Sequence, residues 1–384
     1  MLSLRDSTNY FIMTKLKVAY FHYGTYEGQD AEGYTRAINL CTGLSVSHDV
    51  TIFTSKRGFS MRRSEVLVGN VRVKILPNFV GSKAKGGWDL VSGFLRAIQV
   101  INCGYDLMIF DCVQRPTNIS TFLLSKVLES EKITICDWWE FYGNNTESAS
   151  LLSKMKTKLE GYLEILTRKH CSVVISLSSS LKNLGVSNGI PADRIKVIHP
   201  GIDTSIGQEH SEKKKSELCG LIIGFNDDEF HNCREVMELM LSKYPEIRFT
   251  TTGTVVDLPA EYEGRVSQNV WLSYAEFKAL IAKSDFSLLC QHDSIKNRTR
   301  FPNKFGDYIA IQKPMITNYV GDIEDYRYME SIVDSSSEDA IDDLVKNIDK
   351  YKAKARLEMS ELTITKSWTQ VANEYLNAYY EAVS

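Results

Sequence analysis

No run of apolar residues in this 384-residue sequence approaches the roughly 20 needed to cross a bilayer. The opening stretch, MLSLRDSTNYFIM, also lacks the basic, apolar and small-residue sections of a signal peptide. Met13 stands just before the first strand-like run, so the folded chain is expected to begin there, with residues 1–12 a loose tail. The eight cysteines (Cys41, Cys103, Cys112, Cys136, Cys171, Cys219, Cys233, Cys290) are scattered singly. Without a C-x-x-C pair, zinc knuckles and thioredoxin-type chemistry are excluded, and the thiols read as buried, reduced and apolar in character. Neither a short repeat nor a low-complexity tract is present. The N-x-S/T triplets at Asn118, Asn144 and Asn297 would matter only in a secreted chain and are read as chance. A cytoplasmic protein is therefore expected, in contact at most with the inner face of a membrane.

What remains is ordinary globular composition, 43% hydrophobic and 24% charged, over a length that suggests two domains. The net charge of −3 hides an asymmetry. Residues 1–200 carry 24 Lys and Arg against 17 Asp and Glu, whereas the remainder carries 21 against 31. A basic first half favours an anionic acceptor or an anionic membrane surface, although seven excess charges over a domain also suit a plain solvated face. Nucleic acid is not among the expected partners.

Short β-branched runs alternate with amphipathic stretches, the pattern of parallel sheets with helical crossovers. Strands are expected at 17–23, 49–54, 71–76, 105–111, 132–137 and 171–177, with IKVIHPGID (195–203) closing the first half. The charged segment 207–217 has no apolar periodicity and suits a linker. Alternation resumes with strands at 218–225, 246–253, 269–273, 285–290 and 313–320. The tail 367–383 reads as one amphipathic helix with Trp368, Val371, Ala372, Tyr375, Leu376 and Tyr379 on a single stripe. The expected domains are 13–205, a linker at 206–217, a second domain at 218–364, and a C-terminal helix at 365–384.

Ligands of open parallel sheets bind beyond the carboxyl ends of the strands, so the loops there deserve scrutiny. GTYEGQDAEGYTR (24–36) places Gly24, Gly28 and Gly33 ahead of a helix. Its spacing is not G-x-G-x-x-G and no phosphate-loop lysine follows, which counts against dinucleotide and P-loop chemistry. A flexible strand-to-helix turn is the competing explanation. DWWEFYGN (137–144) sets Asp137 among aromatics that suit a sugar ring or a lipid-linked acceptor, or else form an interdomain contact with Asp137 as a helix cap. QHDSIKNRTRFPNKFGDYIAIQKP (291–314) crowds Arg298, Arg300 and Lys304 at the start of a helix. Cations oppose the dipole there, and a bound diphosphate is their natural counterion. Asp307, a turn further on, can accept both hydroxyls of a ribose.

At this cluster the sequence resembles the family 4 retaining glycosyltransferases of the GT-B fold. RFPNKFGDYIAIQKPMITNYVGDIEDY (300–326) is similar to their second-domain signature. KVIHPGID (196–203), IIGFNDDEFHNCREVMEL (222–239) and SWTQVANEYLNAYY (367–380) resemble, respectively, the end of their first domain, the opening of the second and the final helix. The likeness runs from about residue 15 to the end, specific in the second half and generic in the first. It implies two doubly wound Rossmann-like domains facing each other across a cleft, the last helix returning to the first. It also implies that Asp307 holds the nucleotide ribose, and that Asn303, Lys304 and Arg300 line the diphosphate beside Thr299, Pro302 and Phe305. Asn232 and Gly224 would approach from the opposing loop, Gly33 would face donor and acceptor, and Asp137 would lie by the reacting sugar. Two positions depart from the pattern. Thr299 stands where the family often has Glu, and Phe225 with His231-Asn232 replace a frequent Arg and Lys. Asp227-Asp228 reads as a solvated turn.

The chemistry so implied is departure of a nucleoside diphosphate through an oxocarbenium-like state, with Arg300, Lys304 and helix amides stabilising the leaving charge. Retention of configuration comes from the resemblance alone, and no carboxylate pair suggests a double displacement. Neither metal nor cofactor is expected beyond the nucleotide-sugar donor. The expected acceptor is a glycan, a lipid-linked sugar or a small molecule. A nucleotide-sugar epimerase and a degenerate, non-transferring partner subunit remain as rivals.

Overall fold

A computed structural model describes residues 15–26, 34–56, 58–79, 89–128, 132–141, 150–206, 217–226, 231–270 and 272–384. In chain order the first elements are β1 (Lys17–Thr25), α1 (Tyr34–Leu44), β2 (Asp49–Ser55), β3 (Ser64–Val68), β4 (Val71–Leu76), α2 (Leu90–Cys103) and β5 (Leu107–Asp111). There follow α3 (Pro116–Leu128), β6 (Ile133–Trp138), α4 (Leu151–His170), β7 (Val173–Ser176), α5 (Ser179–Ser187) and β8 (Ile195–Val197). The second series is β9 (Leu218–Phe225), α6 (Cys233–Lys243), β10 (Ile247–Gly253), β11 (Val266–Asn269), α7 (Tyr274–Lys283), β12 (Phe286–Leu289) and α8 (Ile295–Arg298). It continues with α9 (Asn303–Ala310), β13 (Met315–Thr317), β14 (Ile332–Asp334), α10 (Glu338–Lys346), α11 (Ile348–Thr365) and α12 (Trp368–Val383).

Two sheets result, with strand orders β3-β4-β2-β1-β5-β6-β7-β8 and β11-β10-β9-β12-β13-β14. The antiparallel pairing of β3 with β4 is a hairpin, whereas β1 runs parallel to β2 and β5, and β9 to β10 and β12. In each sheet the chain winds outward to one side and then returns to build the other. The order therefore reverses beside β1 and beside β9, and those are the two places where the carboxyl ends of adjacent strands open a crevice. By contacts the chain divides into residues 1–111 with 115–135, and 112–114 with 136–384.

The parallel strands are apolar on both faces because helices cover both. In the first unit Phe21 stacks between Phe53 and Phe110 at 5.2 and 5.0 Å, and Phe122 meets Phe110 edge-on at 5.4 Å. In the second sheet Phe249 and Phe286 meet edge-on at 5.8 Å across Gly220, where a Cβ would come within 2.4 Å of the Phe249 ring. Only glycine lets these two rings close over β9. The strands β3 and β14 were not expected from the sequence. Exposed SEVLV alternates too weakly, and Ile332–Asp334 is only three residues long. The run expected at 269–273 forms earlier, as Val266–Asn269.

The tail helix behaves as expected. Val371, Ala372, Tyr375 and Leu376 are buried on one stripe of α12. Tyr375 donates its hydroxyl to Asp137 Oδ1 on β6 at 2.6 Å, Ile202 N donates to Lys366 O at 2.8 Å, and Trp368 closes over Gly201. The last helix thus returns to the first sheet. No described helix is long and apolar enough to cross a membrane.

Candidate functional site

The crevice of the second sheet lies at the carboxyl ends of β9 and β12, and the residues gathered there come from three separate stretches of sequence. Gly224, next to last in β9, adopts φ +59°, a conformation natural only for glycine. Its carbonyl accepts from Lys304 Nζ at 2.7 Å, and a Cβ would lie 2.7 Å from the lysine stem. Lys304 Nζ also sits 3.2 Å from His231 Nε2. Asn232 stands in the N-cap position of α6 and donates its own N–H to Cys290 O at 3.0 Å. Its side-chain Oδ1 is buried without a hydrogen-bond partner among the described residues. The result is an ammonium seated on the Gly224 carbonyl, beside a helix N-terminus.

Asp307 follows Lys304 on α9. Part of its surface is accessible, yet protein crowds the carboxyl closely enough that burial pushes its pKa up to about 7, with Asp203 adding to the rise and Lys304 opposing it. Asp203 belongs to the HPGID stretch, so that motif and the Asp307 helix converge; Gly306 packs on Gly201 at the same point. Asn303 is exposed at the start of α9, and Pro302, in the N-cap position, offers no side-chain cap. Phe305 N donates to Pro302 O at 3.0 Å, so a backbone turn closes that end, and the helix dipole there still favours an anion.

Residues 35–206 match the profile of Glycosyltransferase Family 4. No curated protein matches the sequence. Among solved structures the chain resembles a sucrose-phosphate synthase from Thermosynechococcus elongatus, at 12% identity and TM-score 0.70 over 96% of this chain and 99% of that one. It also resembles the catalytic domain of starch synthase IV from Arabidopsis thaliana, solved with ADP and acarbose, at 11% identity and TM-score 0.67 over 96% and 100%. A UDP-forming α,α-trehalose-phosphate synthase from Burkholderia vietnamiensis gives 10% identity and TM-score 0.68 over 97% and 99%. At such identities the likeness is one of fold, and the family profile matches residues 35–206 alone. The chain has the GT-B fold.

Other residues expected at the glycosyltransferase site fall in different places. Arg300 forms an ion pair with Glu140, and burial holds its guanidinium below its usual pKa. Glu140, from the DWWE stretch, was not singled out in the sequence; two motifs read as separate turn out to be partners. Arg298 instead lies on exposed surface, bidentate to Asp293. Thr299 is buried, with Oγ1 donating to Lys296 O at 3.1 Å and its carbonyl accepting from Ser178 Oγ at 2.9 Å. Phe305 is buried in an aromatic cluster, 5.4 Å from Phe301 and 4.6 Å from Tyr326, and its ring supports α9 from below. Asp137 is fully buried, and the bond to Tyr375 makes it an anchor for α12. The Trp138 ring is likewise enclosed, its Nε1 donating to Glu164. Gly33 and the Asp227-Asp228 turn lie outside the described residues.

Two histidines went unnoticed as chemistry. In the first unit, at the reversal beside β1, His22 Nδ1 lies 2.6 Å from Asp111 Oδ2 with both side chains buried. His199 Nε2 lies 3.0 Å from Asp322 Oδ2 and stacks on Phe301 at 4.3 Å. His199, Asp322 and Asp325 present possible ligand atoms within 4.8 Å of one another. Asp322 is already engaged, however, since Ser179 N donates to the same Oδ2 at 2.7 Å. The signal for both pairs was a polar residue at a strand end, which long-range pairing alone could complete.

Proposed function

We propose that this protein is a glycosyltransferase that binds the diphosphate of a nucleotide sugar at Lys304, Gly224 and the N-terminus of α9, and transfers the sugar with retention to a glycan, lipid-linked or small-molecule acceptor. The observation carrying the proposal is Lys304, seated on the Gly224 carbonyl at the reversal of the second sheet. A lysine steered by that carbonyl to the end of β9 places positive charge where a phosphate would arrive. Asp307 is the ribose acceptor of this reading, and its elevated pKa means that it presents an ionised carboxylate only above about pH 7. Arg300 joins when Glu140 releases it, and Asn303 and Asn232 supply neutral donors. Thr299, Pro302 and Phe305 shape and support the turn. Gly33 and Asp137 belong to the acceptor side on the family likeness alone. The functional halves are 13–205 and 218–364, joined by 206–217.

Positive charge from Lys304 and Arg300 stands where a divalent cation works elsewhere, so the proposed reaction needs no metal. Full activity in a chelator would support this; loss that magnesium restores would refute it. The decisive experiment is calorimetry with a panel of nucleotide sugars on wild type and Lys304→Ala. A donor bound equally well by both would overturn the site. A second reading, a binding partner without transfer, is favoured by Thr299, whose hydroxyl is committed to Lys296 O where a carboxylate is common in the family. Donor depletion only when acceptor is present separates transfer from that reading and from epimerisation.

A further inference from the structure

The helix α4 is built inside out. Its buried positions are Thr157, Glu160, Gly161, Glu164, Thr167 and Arg168. The opposite face carries Leu151, Leu152, Met155, Leu159, Tyr162 and Leu166, all between 37% and 79% exposed. Spacings of three and four residues put these six on one arc of roughly 100°, a continuous stripe along the helix. The inward polar face is held by a network around Glu164 and Arg168. Trp138 Nε1 donates to Glu164 Oε1 at 2.7 Å, Arg168 Nη2 pairs with the same oxygen at 3.2 Å, and the Arg168 guanidinium lies 4.6 Å from the Trp138 ring. Thr167 donates its hydroxyl to Val113 O at 2.8 Å. The helix therefore cannot rotate to hide its leucines without breaking a buried charged network. Its orientation is fixed, and an apolar face of this extent calls for a cover.

Charge says which cover. Both acids of α4, Glu160 and Glu164, are buried, so its solvent side is purely basic: Lys154, Lys156, Lys158 and Lys169 are exposed beside the stripe. By helical position Lys156 falls on one flank, and Lys154, Lys158 and Lys169 on the other. Lysines flanking an apolar arc can lay their stems along a hydrocarbon surface and keep the ammonium among headgroups. Beside the stripe lies a cavity of about 460 Å³ lined by Lys158, Lys169, Tyr162, Leu166, Phe141 and Asn188. Two ammonium groups over an apolar wall match a phosphate attached to an acyl chain.

We propose that α4 docks this protein onto the surface of an anionic phospholipid bilayer, its stripe in the interface and a lipid phosphate between Lys158 and Lys169. The proposal does not depend on the sugar-transfer reading. It is tested by co-sedimentation of the full chain with vesicles of phosphatidylcholine alone and of equal parts phosphatidylcholine and phosphatidylglycerol. Wild type should bind the anionic vesicles, with affinity falling as salt rises. Leu152→Glu with Leu159→Glu should weaken binding by at least about tenfold, and Lys158→Glu with Lys169→Glu by about fivefold for each lysine. The second pair keeps the stripe intact, so it carries the test if the first pair fails to fold. Donor binding in solution should be unaltered by either pair, which separates this outcome from failure of the catalytic reading. Absence of vesicle binding by wild type would overturn the proposal. So would equal binding to neutral vesicles, or a dimer in light scattering that Leu152→Glu with Leu159→Glu dissociates, since the face would then cover a second copy.

Discussion

The helices α9 and α4 use the same alphabet in opposite senses. On α9, Phe305, Tyr308 and Ile309 face the core, and Lys304 and Asp307 are left partly open. On α4, the acids and Arg168 face inward and the leucines outward. Each is amphipathic at 3.6 residues per turn, so periodicity alone describes them equally well. What differs is the surface each meets. Apolar rings of Phe301 and Tyr326 receive Phe305, whereas the indole N–H of Trp138 and the Val113 carbonyl receive a polar face. Helix polarity is therefore a property of the pair, and a site or a docking surface follows from which face is left over.

The largest expected effects test that contrast directly. Phe305→Ala should destabilise the protein by about 3–5 kcal/mol through cavity formation. Glu164→Leu should cost a similar 3–5 kcal/mol for a different reason, since it leaves Arg168 buried without its carboxylate. Chemical denaturation measures both. An apolar replacement tolerated at position 164 would show that the inverted packing of α4 is not what holds it.

Next in size is Lys304→Ala, which should weaken nucleotide-sugar binding by about 1.5–3 kcal/mol, the range of a hydrogen bond to a charged group. Stability should change little, because the lysine is only half-buried and its bonds to the Gly224 carbonyl and His231 lie among half-buried residues at the end of β9.

Asp307→Asn addresses pH. The carboxyl is pushed up to about 7 when folded and returns to its ordinary value of 3.8 when unfolded. Between those values the folded state holds more protons, so Asp307 makes wild-type stability fall as pH rises from about 4 to 7 and leaves it level above. Asn should remove that slope, giving a variant more stable than wild type at pH 8 and no more stable at pH 4. Donor affinity of wild type should rise across the same interval as the carboxylate forms, while that of the variant stays flat. Thermal unfolding and calorimetry over pH 5–9 test the two halves separately; a wild-type donor affinity independent of pH would exclude Asp307 from the ribose. Smallest of all, Leu159→Ala on the outer face of α4 should shift stability by less than about 0.5 kcal/mol in solution, against several for Phe305 on α9. A large loss there would mean that the stripe is already covered.

Much of this was legible in the residues. Both α/β series, the tail helix and the cluster around Lys304 follow from short apolar runs and from cations placed against a helix dipole, which are local signals. Glu140 beside Arg300, Asp203 beside Asp307 and Asp137 beneath Tyr375 were not legible. Each joins residues more than 100 positions apart, and nothing in either segment names its partner.

By itself, then, the sequence determined which segments become strands and helices, because backbone preference and apolar period act within one or two turns of chain. It also determined that Lys304 stands in the first turn of a helix beyond a strand end. Arg298 instead closes the preceding helix, and Arg300 pairs with Glu140. The tertiary structure alone decided that Asp137 is an anchor, that Asp307 is crowded enough to titrate near 7, and that α4 turns its leucines outward. Those are matters of desolvation and pairing, and both depend on what the fold brings within a few ångströms of a side chain.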